Sequence, residues 1–315
     1  MRKYFPILLW LLILTCVASC AGTPAMEEGF IDNGAHSLYY KTMGSGDPVV
    51  VLHGGPGFDH RQFLPFMWEL AQGHKVILFD QRCTGLSSGP VDSASINIEA
   101  FMDDIEAVRK AFGIEKMNLL GHSFGGILAM YYSLRHEDEL KSLILCSTAA
   151  TEESFSEMRA TYEANREKGD MQCMTEIYGS EAFKRGDPAA YEKFWRVYFK
   201  PYFADHSQVN KMDLLFTENT IKNGNAVADH LFRSIGKFDL HEDLKGLNCP
   251  TLIVHGDADP MPCKYAQQIH ECIAGSKLVI VEGAGHWLFV DGTERFSRAI
   301  LEFLAGLIKE DQAQK

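Results

Sequence analysis

One stretch constrains this chain more than any other: Met117-Asn118-Leu119-Leu120-Gly121-His122-Ser123-Phe124-Gly125-Gly126. Met117 to Leu120 is a short apolar run of the kind that forms a buried parallel strand, and Ile127 to Leu134 has helical spacing. A serine two positions from a glycine on either side, at a strand-to-helix junction, fits a nucleophile elbow. Such a turn holds its serine in strained backbone geometry, and a Cβ at 121 or 125 would collide with the adjacent strand or helix. The five-residue pattern alone arises by chance in roughly one chain in ten of this length. Its weight rests on whether a base, an acid and an oxyanion loop stand where such a fold needs them.

A neutral serine is a poor nucleophile, so Ser123 needs a base, and the base needs an orienting carboxylate. After the strand-like run Thr251-Leu252-Ile253-Val254 the chain reads His255-Gly256-Asp257-Ala258-Asp259-Pro260. After Leu278-Val279-Ile280-Val281 it reads Glu282-Gly283-Ala284-Gly285-His286-Trp287. Serine, acid and histidine thus follow in the order an α/β-hydrolase uses, each just past a strand. The candidate acid is Asp259, with Asp257 its rival, because the G-x-x-D spacing carries Asp259 further from the strand. The candidate base is His286; His270 falls inside a predicted helix. The oxyanion donors are expected to be the backbone N–H groups of Phe124 and of Gly55, in the loop His53-Gly54-Gly55-Pro56-Gly57. His122, His53 and His255 read as structural, hydrogen-bonded residues.

The rest of the chain alternates in the same way. Phe30-Ile31 and Leu38-Tyr39-Tyr40 predict two strands around an Asn33-Gly34 turn, and Val49-Val50-Val51-Leu52 and Val76-Ile77-Leu78-Phe79 two more. A helix is expected through Phe63, Phe66, Met67 and Leu70, another over 97–112, and others over 265–273 and 293–308. Residues 149–238 are rich in charge and aromatics and read as helical. Strands and helices on both sides of one helical insertion imply an α/β fold: a mostly parallel sheet flanked by helices, with a cap. The expected division is core over 28–148, cap over 149–238 and core again over 239–315.

The N-terminus has its own signature. Met1-Arg2-Lys3 precedes an apolar run from Tyr4 to Val17, and Val17-Ala18-Ser19-Cys20 closes it. This resembles a bacterial lipoprotein leader, with residues 1–19 removed, Cys20 lipidated and 20–27 a tether. The expected location is outside the cytoplasm, anchored to a membrane through Cys20. Removing 1–19 takes two of the 30 basic residues and none of the 42 acidic ones, leaving a formal −14, which argues against nucleic acid as a partner. Six further cysteines, at 83, 146, 173, 249, 263 and 272, show no C-x-x-C spacing and are compatible with disulfides or buried thiols. No metal-ligand spacing and no G-x-G-x-x-G after a strand occur, so no cofactor is expected.

Taken together, His53-Gly54-Gly55-Pro56-Gly57, Asp80-Gln81-Arg82, Gly121-His122-Ser123-Phe124-Gly125-Gly126 and the acid and histidine loops resemble the proline iminopeptidase family and the related tricorn-interacting aminopeptidases. The resemblance implies an acyl-enzyme hydrolase that removes N-terminal residues from peptides; some members act on esters or amides, so a small peptide or ester is the implied substrate. Gly54, Asp229 and Trp287 are the implied substrate contacts. The chain departs from the family at three places. Cys83 stands where the family carries glycine, Pro260 follows the catalytic acid where a peptidase has an acid, and Ala228 occupies the late-cap acidic position with Asp229 adjacent. Without those carboxylates a bound ammonium would lack its counter-charge. A carboxylesterase or amidase is therefore the alternative, and a non-catalytic binding module with a hydrolase scaffold is a third. Epoxide hydrolases and dehalogenases carry aspartate at the nucleophile position.

Overall fold

The computed structural model describes residues 25–313. Cys20 and the expected leader lie outside the described residues. Eight strands form one sheet: β1 (Met26–Asn33), β2 (His36–Met43), β3 (Asp47–Leu52), β4 (His74–Phe79), β5 (Met117–His122), β6 (Leu140–Cys146), β7 (Thr251–Gly256) and β8 (Lys277–Val281). Their order is β1-β2-β4-β3-β5-β6-β7-β8. β1–β2 and β2–β4 are antiparallel and the remaining pairs parallel. β1 starts two residues inside the stretch read as a tether.

The β-branched runs behave as their composition dictates. Successive side chains of a strand face opposite sides, so Val50 and Leu52 enter one apolar layer and Val49 and Val51 the other. Helices cover both layers: α1 (Ile98–Ala111) and α2 (Phe124–Ser133) lie on the first. Between β6 and β7 the chain builds α3 (Glu153–Asn165), α4 (Asp170–Gly179), α5 (Glu181–Lys184), α6 (Pro188–Phe199) and α7 (Glu218–Ile235), with no strand of the sheet. The two ends of this insertion are joined, Glu152 N–H donating to the Phe238 carbonyl at 3.1 Å and Leu240 N–H to that of Ala150 at 2.8 Å. α8 (His241–Leu244) and α9 (Lys264–Cys272) follow on the first face, α10 (Leu288–Asp291) and α11 (Thr293–Ala313) on the second.

The helix expected through Phe63 and Leu70 does not form. That segment holds only short 3₁₀ turns, His60–Phe63 and Leu70–Gln72. Pro65 lacks an N–H and disfavours helical backbone at Leu64, which is extended at φ −85° and ψ 132°. Its apolar side chains still reach the core; Phe63 and Met67 are buried.

The strand order fixes where a site can lie. From β3 the chain passes to β4 on one side and, after α1, to β5 on the other, and Leu52 of β3 pairs with Gly121 of β5. The loops leaving β3 and β5 therefore diverge from one crevice at their carboxyl ends, the position where open α/β sheets bind ligands.

Candidate active site

At that crevice β5 ends in the Ser123 turn. Ser123 adopts φ 55° and ψ −121°, backbone that a non-glycine residue rarely takes. The neighbouring glycines make it possible. A Cβ at Gly121 would lie 2.3 Å from the Gly125 carbonyl oxygen, and one at Gly125 2.4 Å from that of Leu52. The turn is pinned as Ser123 N–H donates to the Cys146 carbonyl at 2.9 Å and Thr148 Oγ1 donates to the Ser123 carbonyl at 2.8 Å.

The loops after β7 and β8 close on this turn. Ser123 Oγ lies 2.8 Å from His286 Nε2, and His286 Nδ1 lies 3.0 and 2.9 Å from the two carboxylate oxygens of Asp259. With a carboxylate at Nδ1, that nitrogen carries the proton, and Nε2 is left to accept from the serine hydroxyl. Asp259 is fully buried. Burial alone would raise its pKa, but the facing rings of His286 and His255 and the hydrogen bonds from His286 and Met261 N–H outweigh it and hold the carboxyl below its ordinary value. Asp257, the rival acid, instead accepts from Gly283 N–H at 2.7 Å and braces the loop after β8. His270 bonds Ser276 Oγ at 2.8 Å.

On the opposite side stand the oxyanion candidates. Phe124 is the first residue of α2, so its N–H has no partner within the helix. Among the described residues, neither that amide nor Gly55 N–H has a protein acceptor. A Cβ at Gly54 would lie 3.1 Å from Ser123 Cβ and 3.3 Å from the His122 carbonyl oxygen, so a side chain there would press on the serine turn by a few tenths of an ångström. Between these loops and the helices of 153–235 opens a cavity of about 900 Å³ whose lining includes Ser123, Phe124, Gly54, Gly55, His286 and Trp287.

A family profile described as the alpha/beta hydrolase fold matches residues 47–293. The chain belongs to the α/β-hydrolase fold family. A proline iminopeptidase of Saccharolobus solfataricus is 30% identical over 294 residues, spanning 89% of this chain and 92% of its own. A proline iminopeptidase of Lactobacillus helveticus is 28% identical over 291 residues, spanning 88% and 97%. Among solved structures, a thermophilic esterase from Thermogutta terrifontis is similar with a TM-score of 0.65 at 25% identity, over 89% of this chain and 99% of its own. The resemblance read from the motifs extends over most of the chain, and this α/β-hydrolase has both peptidase and esterase likenesses.

The remaining candidates separate. Trp287 is buried on the cavity wall, 5.5 Å edge-to-face from His286 and 4.5 Å from Phe199. Asp229 is a correction. On α7, Ala228 faces the cavity, and the next residue, about 100° around the helix, points to solvent. Asp229 there pairs with Arg233 at 2.8 Å, with both side chains exposed. Cys83 sits at φ 64°, where the resemblance implies a glycine, and its thiol donates to the Pro90 carbonyl at 3.3 Å. All six described cysteines are free thiols.

The three further histidines are held by their neighbours. His53 Nε2 accepts from Gln81 N–H at 3.0 Å while its Nδ1 faces the Gly54 carbonyl at 2.8 Å, which ties the loop after β3 to the loop after β4. His255 Nε2 donates to the Met261 carbonyl at 2.7 Å. His122 Nε2 donates to the His286 carbonyl at 2.9 Å, and burial, followed by the nearby His286, pushes its pKa down to about 3. The fold also gathers Asp59, His60 and Asp80, a trio that sequence spacing did not reveal, with ligand atoms within 4.8 Å of one another. Their oxygens are already engaged. Arg61 caps Asp59 with two bonds, at 2.9 and 2.5 Å, and Asp80 accepts from His60 Nδ1 at 2.7 Å and Leu86 N–H at 2.8 Å.

Two positioning groups escaped the sequence reading. Tyr202, in the helical insertion, accepts His286 N–H on its carbonyl at 2.7 Å. Asp291 accepts both Gly285 N–H at 3.0 Å and Ala204 N–H at 3.1 Å on one oxygen. Neither contact follows a motif, because each joins backbone groups of segments distant in sequence.

Proposed function

We propose that this protein is a serine hydrolase that cleaves esters or amides through an acyl-enzyme. The observation that carries the reading is the continuous chain from Ser123 Oγ through His286 to Asp259, at 2.8 Å and 2.9–3.0 Å, beside two amides without acceptors. Ser123 Oγ attacks the substrate carbonyl carbon as its proton passes to His286 Nε2. Asp259 holds the ring and steadies the imidazolium, and the N–H groups of Phe124 and Gly55 receive the oxyanion. The tetrahedral intermediate then expels the alcohol or amine, which takes the proton from His286. Water, deprotonated by His286, attacks the acyl-serine, and the carboxylic acid leaves as Ser123 regains its proton.

The test is covalent labelling by a fluorophosphonate probe. Wild-type protein should label at Ser123 and the Ser123→Ala variant should not. An unlabelled wild type would remove the nucleophile and revive the binding-module reading. A second reading, release of N-terminal residues from peptides, is supported by the proline iminopeptidase relatives; turnover of prolyl 2-naphthylamide in preference to neutral substrates would put it first.

We further propose that the helices between residues 149 and 238 act as a cap over the site, and that the mature protein is exported and membrane-anchored through a lipid on Cys20. Among the described residues no helix is long and apolar enough to cross a membrane. A Cys20→Ala variant should leave the membrane fraction; retention there would reject the lipid anchor.

A further inference from the structure

We infer that the substrate is a neutral carboxylic ester or amide with an apolar acyl group, and that a run of five aromatic rings receives that group. The inference rests on the serine-hydrolase reading and names what the same cavity accepts.

The lining of the cavity carries the argument. From the oxyanion loop outward, Phe58 meets Trp195 at 5.0 Å, Trp195 meets Phe194 at 5.6 Å, Phe194 meets Phe183 at 5.2 Å, and Phe183 meets Tyr178 at 5.2 Å. All five line the cavity, and Tyr178 is 64% exposed, so the wall leads from the loop beside Ser123 to solvent. Among the described residues no carboxylate lines this space. Asp259 lies buried behind His286, Asp229 turns outward to Arg233, and Lys184, the one lysine or arginine lining the cavity among the described residues, is paired with Glu181 at 3.0 Å. Asp59 is neutralised by Arg61.

An N-terminal ammonium placed here would therefore be desolvated without a counter-charge. Desolvating an unpaired ion is costly even in a real protein. Cation–π attraction to the aromatic faces returns only part of that cost. An apolar group faces no such penalty and gains about 0.8 kcal/mol per buried methylene, roughly a fourfold change in kcat/KM for each. The volume, about 900 Å³, is large enough for an extended chain or a fused ring.

An isosteric pair tests the charge: the 2-naphthyl esters of proline and of cyclopentanecarboxylic acid have the same shape and differ by the ammonium, which also activates the prolyl carbonyl. At pH 7, with each kcat/KM divided by that ester's own hydroxide-catalysed rate constant, the cyclopentanecarboxylate should be hydrolysed at least tenfold better. Across p-nitrophenyl esters from acetyl to octanoyl, kcat/KM should climb by about three- to fourfold per methylene. That slope should flatten in Phe194→Ala. Faster turnover of the prolyl ester on that normalised scale, or a flat chain-length series in the wild type, would overturn the inference while fluorophosphonate labelling of Ser123 left the serine-hydrolase reading standing. Absence of labelling would overturn both.

Discussion

The backbone N–H of His286 donates to the carbonyl of Tyr202 at 2.7 Å, so the histidine loop of the sheet is held from the helical insertion above it. The fit is close. A Cβ at Gly285 would lie 2.2 Å from that same carbonyl oxygen, and the Tyr202 ring stands 5.4 Å from the His286 ring at a steep angle. The His286 side chain and backbone are thus oriented from two sides: Asp259 fixes the ring, and Tyr202 fixes the backbone.

Asp291 completes this clamp by taking the Gly285 and Ala204 amides on one oxygen. Removing it strands the partly buried Gly285 donor, at a cost of about 1–3 kcal/mol, and leaves the exposed Ala204 amide to water. Asp291→Ala should lower the melting temperature by several degrees and reduce kcat by about tenfold, with KM little changed. Asp291→Asn keeps an acceptor oxygen and should recover most of the activity. Kinetics and thermal melts of the two variants check this; equal loss in both would show that the charge, and not the acceptor, matters.

His122 predicts a pH dependence of stability. Its ring donates to the His286 carbonyl from a fully buried position, and burial lowers its pKa from 6.5 to about 3. Above pH 6.5 the ring is neutral in both folded and unfolded chains and contributes no slope. Between 6.5 and about 3 the unfolded chain binds a proton that the folded one refuses, so the folded state loses about 1.4 kcal/mol per pH unit as the pH falls. His53, also buried and shifted downward by desolvation, adds in the same direction. In urea titrations from pH 6 to pH 4, His122→Gln should show a shallower loss of stability than wild type, by about one proton. Identical slopes would mean that His122 is protonated in the folded chain.

Much of this architecture was legible because local pattern and global role agree. The β-branched runs, the glycines around Ser123 and the order of Asp259 and His286 each encode backbone geometry that few other residues satisfy. The failures have physical causes. The pattern at Phe63, Phe66, Met67 and Leu70 has helical spacing, but Pro65 breaks the ladder and the same side chains pack from turns instead. Asp229 neighbours a cavity residue in sequence and points away from it on the helix. Tyr202 and Asp291 act through backbone amides of remote loops, which leave no mark on residue spacing. The aromatic run at 194–203 was visible as composition, yet only the fold shows which rings face the serine.

Beneath the loop after β4, Arg82 is buried against Asp104, with its Nε and an Nη at 2.7 and 2.6 Å from the two oxygens and further bonds to the Ser95 and Ala100 carbonyls. Such a pair is weak evidence of net stabilisation, but losing one partner leaves a buried charge unmatched. Asp104→Ala should therefore destabilise the fold by about 3–5 kcal/mol. A double variant, Arg82→Met with Asp104→Leu, should recover a large part of that loss in chemical denaturation. If the double variant is no more stable than Asp104→Ala, the unpaired guanidinium is not the cause.

The loop after β3 meets the helical insertion at a pair of glycines. Gly57 and Gly224 of α7 approach backbone to backbone, while Thr217 Oγ1 donates to the Gly85 carbonyl at 2.8 Å and Asn223 Nδ2 to that of Cys83 at 3.3 Å. The two glycines are not equivalent. Gly57 has φ +97°, and a Cβ there would lie 2.7 Å from the Gly224 carbonyl oxygen, so both strain and collision oppose a side chain. Gly224 lies within a helix, where alanine is favoured by about 1 kcal/mol, and its Cβ would sit 3.2 Å from the Gly57 oxygen, a gap that a shift of a few tenths of an ångström relieves. Gly57→Ala should lower kcat/KM by about tenfold or more and depress the melting temperature, because the loop carrying Gly55 must move. Gly224→Ala should stay within about twofold in kcat/KM and within about 1 kcal/mol in stability. Equal effects in the two variants would mean that this contact does not set the position of the loop carrying Gly55.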